Sequence, residues 1–207
     1  MAIIRSRHIP FYVAFFRIYT SRMLRKYFRN LHLELEPFEP GSPVLLIANH
    51  FSWWDGFIGN YLSFKHFHKK FHVMMLEEQL EQRMFLNKGG AYSIKKSSRS
   101  VLESLSYTAE LLSSPENLVM MFPQGHFESL YHRDFHFDRG IRRILDQCRE
   151  TPGIIFNVNL IDYFSKPAPT LFIRTRSYRG ERSLEKIQEA FNQFHMECIL
   201  KQHESLV

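Results

Sequence analysis

The stretch Val44-Leu45-Leu46-Ile47-Ala48, followed at once by Asn49-His50-Phe51-Ser52-Trp53-Trp54-Asp55, decides how this chain folds. Five consecutive apolar residues, preceded by the turn cluster Pro37-Phe38-Glu39-Pro40-Gly41 and followed by a polar turn, read as a strand buried on both faces. The pattern from Trp54 to Ser63 reads as a helix, which makes the unit strand, turn, helix. His50 then stands at the carboxyl end of a buried strand, where α/β sheets keep their sites. Histidine is the side chain best suited to take a proton near neutral pH. If Asp55 lies in the first turn of the helix, its carboxylate can turn back and hold the imidazole. The plainer reading of the same residues is a strand cap and a helix N-terminal aspartate.

Outward from this unit, strand-like and helix-like segments alternate. Strands are expected at 31–36, 44–48, 71–76, 91–94, 118–122, 154–159 and 171–175, and helices at 54–63, 77–85, 99–112, 139–149 and 183–200. Alternation of this kind predicts a single α/β domain over residues 31–207, with a mixed, largely parallel sheet flanked by helices. The chain's 207 residues, 44% of them hydrophobic, suffice for one substantial core.

Charge sets the first 30 residues apart. They hold seven of the 27 Lys and Arg side chains and no acid, which leaves 20 basic against 21 acidic residues in the remainder. Residues 9–29 fit a helix in which Tyr12, Phe16, Tyr19, Met23 and Tyr27 share one face, with Arg22, Arg25, Lys26 and Arg29 to the side. An aromatic face beside a basic one predicts a helix lying in an anionic membrane surface, and the alternative is a helix docked on its own domain. The 20 phenylalanines and 9 tyrosines point the same way, toward contact with something apolar beyond the core. No apolar run approaches the roughly 20 residues of a spanning helix, and the segment lacks a secretory cleavage pattern. Nucleic-acid binding is disfavoured because the basic excess is confined to this segment. Cys148 and Cys198 form no metal-type pair and read as reduced thiols. No G-x-S-x-G is present, which argues against a serine hydrolase.

A second block, Phe122-Pro123-Gln124-Gly125-His126-Phe127-Glu128-Ser129, follows the apolar run from Leu118 to Met121. Proline and glycine force a tight turn at another strand end, and backbone N–H groups near Gly125 can face an oxyanion or a phosphate. Lys95, Lys96 and Arg99 form a basic cluster at a helix start. His66, His68 and His72, and separately His132 and His136, have spacings that zinc sites use, but lysines crowd the first set and no further ligand completes either, so no metal is expected. Arg133, Arg139, Arg142 and Arg143 make a second basic region, read as a solvated face or a lipid- or coenzyme-facing one.

Taken together, the two blocks resemble the lysophospholipid acyltransferase family, the group that contains 1-acylglycerol-3-phosphate acyltransferases. Asn49-His50 through Asp55 is similar to that family's N-H-x4-D motif and Phe122 to Phe127 to its F-P-E-G-T-R motif. Gly90 to Lys95 is similar to its G-x-x-x-I-x-R block, and Phe137-Asp138-Arg139-Gly140 to its F-x-x-G segment. The resemblance implies acyl transfer from acyl-CoA or acyl-carrier protein, as co-substrate, to a lipid hydroxyl, with no cofactor and no metal. It makes His50 the general base and Asp55 its orienter. It makes Asn49, Lys95, Lys96, Arg99, Phe122, Pro123, Gln124, Gly125 and His126 the substrate-binding residues. It also implies a peripheral place on the cytoplasmic face of the cell membrane.

Three departures bear on the acceptor. Gln124 replaces glutamate, His126 replaces threonine, and Phe127 stands where arginine is usual. Phenylalanine cannot grip a phosphate as a guanidinium does. The expected acceptor is therefore a glycolipid, an amino-acid-containing lipid or another hydroxylated lipid as readily as lysophosphatidic acid. Residues 155–159 also lack the family's usual proline. A protein of this fold that binds lipid without turnover is the competing reading.

Overall fold

The computed structural model describes residues 3–39, 41–95 and 98–204, the side chains of Ser98 and Arg99 excepted. Seven strands form one sheet: β1 (Asn30–Leu35), β2 (Val44–Ala48), β3 (Lys70–Leu76), β4 (Ala91–Ile94), β5 (Asn117–Met121), β6 (Gly153–Asp162) and β7 (Thr170–Tyr178). Their order across the sheet is β1-β7-β6-β2-β5-β3-β4, and only β6 and β7 run antiparallel. β2 and β5 are neighbours at the centre and buried along their whole length, as continuous apolar runs in a parallel sheet must be. The fold is thus the single α/β domain that the alternation of elements predicts. All seven strands fall where the pattern places them; the antiparallel turn into β7 follows from the short connection after Asp162.

Helices cover both faces. On one face α1 (Pro10–Tyr27) and α2 (Trp54–Leu62) close a core of Leu24, Phe28, Leu46, Ile58, Leu62, Met120 and Ile173. On the other, α5 (Ser98–Leu111), α6 (Gly140–Gln147) and α7 (Leu184–Glu204) close a larger core that includes Ile47, Val119, Phe156, Ile141 and Phe191. The helix expected at 77–85 is two short pieces, α3 (Glu77–Glu81) and α4 (Met84–Asn87). Arg83 leaves helical geometry (φ −137°), and the break buries Leu80 while leaving Met84 and Phe85 exposed. Past α2 the chain winds one π-type turn, Ser63–Phe67, which ends on His68 in the left-handed region.

The N-terminal segment is stitched to the domain. Residues 3–8 run along the β4 edge: Ser93 N donates to Ile4 O at 2.9 Å and Ile4 N to Ser93 Oγ at 2.8 Å. Such a strap covers an edge strand that would otherwise offer unpaired backbone. Two imidazoles fasten it, His8 against the Phe71 carbonyl and His72 Nδ1 against Ser6 Oγ, both at 2.9 Å. Burial, then the nearby His8, push His72 down to about 3. Next, α1 lies across α2, with Asn60 Nδ2 donating to Thr20 Oγ1 at 2.9 Å. The ring of Phe16 rests on Gly89, where a Cβ would come within 2.5 Å of it.

This docking rearranges the face expected for α1. Tyr12, Phe16 and Met23 are half-buried against the body, and Tyr19 and Tyr27 are exposed. The stripe that faces outward is Phe11, Phe15, Ile18, Arg22 and Arg25, apolar in its first half and basic in its second. Aromatic and basic groups therefore follow one another along one face instead of lying on two. Among the described residues no helix is long and apolar enough to cross a membrane. Both cysteines are free thiols, Cys148 half-buried and Cys198 buried.

Candidate active site

The carboxyl ends of β2 and β5 lie side by side, and the two sequence blocks meet there. After Ala48 the chain turns tightly around one carboxylate. His50 Nδ1 lies 2.7 Å from Asp55 Oδ2, and the same oxygen accepts from the backbone amides of Phe51 at 2.9 Å and Ser52 at 3.1 Å. Three donors on one oxygen explain the local fold: the turn of residues 50–52 wraps the first turn of α2, and Asp55 is its centre. Ser52 Oγ adds a bond from Trp54 N at 3.1 Å. Asp55 is buried, and this pushes its carboxyl upward, opposed by the hydrogen bonds from His50 and the two amides.

The imidazole is held but not sealed. Its side chain keeps 21% of its exposure. Phe122 stacks on one side with ring centroids 4.0 Å apart and planes 16° apart, and Phe127 lies 4.0 Å away at 31°. Glu128 N donates to His50 O at 2.8 Å, which ties the second block to the first. Gly125 takes φ +69°, a conformation that favours glycine, and its amide donates to Phe122 O at 3.1 Å. Of the backbone N–H groups near Gly125 that could face an oxyanion, that of Gly125 itself is thus committed to the turn. Pro123 O accepts from Asp138 N at 2.8 Å, joining the turn to the segment before α6.

The other expected site residues fall in three groups. Asn49 is buried; its Nδ2 donates to Asn159 O and its Oδ1 accepts from Asn159 N, both at 2.9 Å. Its amide therefore extends the β2–β6 ladder by one rung made of side chain. Gln124 is buried, with neither amide atom partnered among the described residues, whereas His126 is exposed. Lys95, at the end of β4, lies 2.5 Å from Glu77, which also accepts from Ser93 Oγ at 3.1 Å. Lys96 lies outside the described residues, as does the side chain of Arg99. His66, His68 and His72 do not converge: His66 meets the Glu36 carbonyl, His68 ends the π-type turn and His72 holds the strap. Among the described residues no three His, Cys, Asp or Glu side chains are grouped to hold a metal ion.

A sequence model of the acyltransferase family matches residues 30–155, more than half of the chain and both blocks of the site. The chain belongs to the acyltransferase family. This acyltransferase shares its fold with the crystal structure of the 1-acyl-sn-glycerophosphate (LPA) acyltransferase PlsC from Thermotoga maritima, at a TM-score of 0.55 and 13% identity over 94% of this chain and 79% of that one. No curated protein sequence matches it.

Three features of the acyltransferase site escape sequence reasoning. Phe127 reads there only as a lost arginine, yet it forms a wall of the imidazole slot. Glu128 is given no role there, yet its amide ties the second block to the first. Asn157 and Asn159 exchange side-chain bonds of 3.0 and 2.9 Å behind Asn49. The signal for the pair is present in the sequence: asparagines two apart in an apolar strand face the same side and, once buried, must find partners.

Proposed function

We propose that this acyltransferase moves a fatty acyl group from a thioester, acyl-CoA or acyl-carrier protein, to a hydroxyl of a lysophospholipid or related lysolipid. The observation that carries the reading is the 2.7 Å contact between His50 Nδ1 and Asp55 Oδ2 on a partly exposed ring. With Nδ1 donating to the carboxylate, Nε2 keeps the lone pair that takes a proton. The acceptor hydroxyl gives its proton to Nε2 as its oxygen attacks the thioester carbonyl. The tetrahedral intermediate then collapses, expelling the thiolate, and the imidazolium returns the proton to that sulfur. Asp55 is a positioning residue that also balances the transient imidazolium charge. Because the Gly125 amide is committed, the amides of His126 and Phe127 are the candidates to face the oxyanion. The slot between Phe122 and Phe127 supplies the apolar approach that a lipid needs.

The same reading places the protein peripherally on an anionic membrane surface, on the cytoplasmic face where acyl thioesters are supplied. Phe11, Phe15 and Ile18 enter the interface and Arg22 and Arg25 meet lipid phosphates. The basic end of α1 adjoins the site, since Tyr27 and Phe28 pack on Trp54 at 5.4 and 5.0 Å, one residue before Asp55. The outward stripe supports the reading because Phe11 keeps 73% of its exposure, its ring edge-on to the adjacent Tyr12 at 5.5 Å. Phe11→Ser with Phe15→Ser should weaken sedimentation with anionic vesicles about tenfold or more; unchanged binding removes α1 from the membrane.

The activity test is release of free thiol from an acyl thioester, followed with and without lysolipid, with the product identified by mass spectrometry. Acceptor-dependent release and a lipid heavier by one acyl group are expected. Binding of lysolipid with no thiol release favours a lipid-binding protein without turnover and overturns the proposal.

A further inference from the structure

We infer that the acceptor carries an ammonium group, not a phosphate, beside its reacting hydroxyl, and that Glu128 is the side chain that recognises it. The inference rests on the acyl-transfer reading above and deepens it by naming the acceptor's charge.

Glu128 sits where such a group would lie. Its backbone amide is bonded to the His50 carbonyl at 2.8 Å, so its side chain leaves from the wall of the imidazole slot. That side chain keeps only 14% of its exposure. Oε1 is 3.4 Å from His126 Nε2 and 3.7 Å from His132 Nε2, long for hydrogen bonds. Oε2 is buried without a hydrogen-bond partner among the described residues. Among those residues Glu128 makes no ion pair with any Lys or Arg. A carboxylate taken from water and left with an unused oxygen is costly. A cationic group on the acceptor completes it.

Its surroundings suit a cation and not a phosphate. Phe127 remains 58% exposed beside the imidazole, and aromatic faces attract ammonium groups. The Asp138 carboxylate comes 3.0 Å from where a Cβ would stand on Gly125, which puts a second acid on the same turn. Lys95, the member of the basic cluster whose side chain is described, is paired with Glu77 at 2.5 Å. A phosphate monoester would face two carboxylates and a phenyl ring in this wall, whereas an ammonium group finds a carboxylate and an aromatic face.

The test uses three acceptors matched in all but charge. Each is a glycerol with an ether-linked hexadecyl chain on its first carbon and a free hydroxyl on its second. The third carbon bears dimethylammonium, methoxy or phosphate. The tertiary amine keeps one N–H to donate when protonated and forms no stable amide, so only the hydroxyl product accumulates. Palmitoyl-coenzyme A and, in parallel, palmitoyl-carrier protein serve as donors. The ammonium acceptor should lead the phosphate acceptor in kcat/KM by about tenfold or more, in the range of a charge-assisted contact. Glu128→Gln should shrink the ammonium-over-methoxy ratio ~10- to 100-fold, and Glu128→Lys should turn the preference toward phosphate. Phe127→Arg, a second variant in case Glu128 variants do not fold, should also shift the preference toward phosphate.

A wild-type preference for phosphate or for methoxy overturns the inference, as does an ammonium preference that neither Glu128→Gln nor Phe127→Arg moves. Those results leave acyl transfer standing. Absence of transfer to all three acceptors overturns the acyl-transfer reading, and this inference falls with it.

Discussion

β2 and β5 are neighbours in the sheet, both five residues long and wholly buried, and both end at the same edge. Their ends differ. Past β2, three donors converge on one carboxylate oxygen within seven residues of chain, and Asp55 Oδ1 is the polar atom left over. Past β5, both amide atoms of Gln124 and one oxygen of Glu128 are buried without partners among the described residues, while His126 and Phe127 face outward. A carboxylate oxygen that holds three donors fixes one geometry. The β5 end has no such centre and leaves more of its buried polar atoms unpaired. Under the proposed function, the first end is the proton-transfer device and the second the surface that selects the acceptor.

If that contrast is sound, changes at the β2 end should reduce rate whatever the acceptor. Asp55→Asn should lower kcat on the order of 10³-fold, since a neutral amide cannot balance the imidazolium. A loss that differs strongly between acceptors would break the contrast.

The strut beneath the site comes next. Asn49→Ala orphans a buried amide and a buried carbonyl of Asn159 and should cost about 3 kcal/mol in urea unfolding. A cost below about 1 kcal/mol would mean that water replaces the lost side chain without penalty.

Acid should act through two histidines buried as neutral rings. Burial pushes His72 down to about 3 and His195 down to about 4, His195 lying fully buried against Phe135 and Phe191. Their folded values lie below the ordinary 6.5, so the unfolded chain takes up protons first. Their stabilisation is complete above about pH 6.5 and is lost as pH falls toward the folded values, about 2 kcal/mol per ring by pH 5. His72→Asn or His195→Asn should each flatten the fall of stability between those pH values; an unchanged slope would show that the rings titrate normally.

The smallest effect belongs to the β5 end. Gln124→Leu removes two unpartnered polar atoms and should leave the fold unchanged or stabilise it by about 1 kcal/mol, while acceptor preference changes. Clear destabilisation would mean that the Gln124 amide is satisfied, and that this turn is as closed as the other.

What the sequence revealed follows the same division. The strands are short apolar runs between turns, and the His50–Asp55 pair closes within one turn, so local pattern suffices for both. The sheet order, the strap of residues 3–8 and the direction in which α1 faces depend on contacts between distant residues. Phe16 turns inward because Gly89 leaves room for its ring, and no periodicity within α1 could report that. Glu128 gains meaning only from its bond to His50, far away along the chain. The fold and the His50–Asp55 contact were therefore legible in local pattern, whereas the place of Glu128 beside His50 was hidden in tertiary contacts.

The central claim is that Asp55 works through His50. A double-mutant cycle on acceptor-dependent thioester turnover, with folding checked by thermal melting, tests it most directly. The account predicts that His50→Ala costs about 10²–10⁴-fold and that adding Asp55→Asn costs almost nothing more, because the carboxylate then has no imidazole to orient. Losses that multiply, or near-normal turnover in a folded His50→Ala protein, would contradict it.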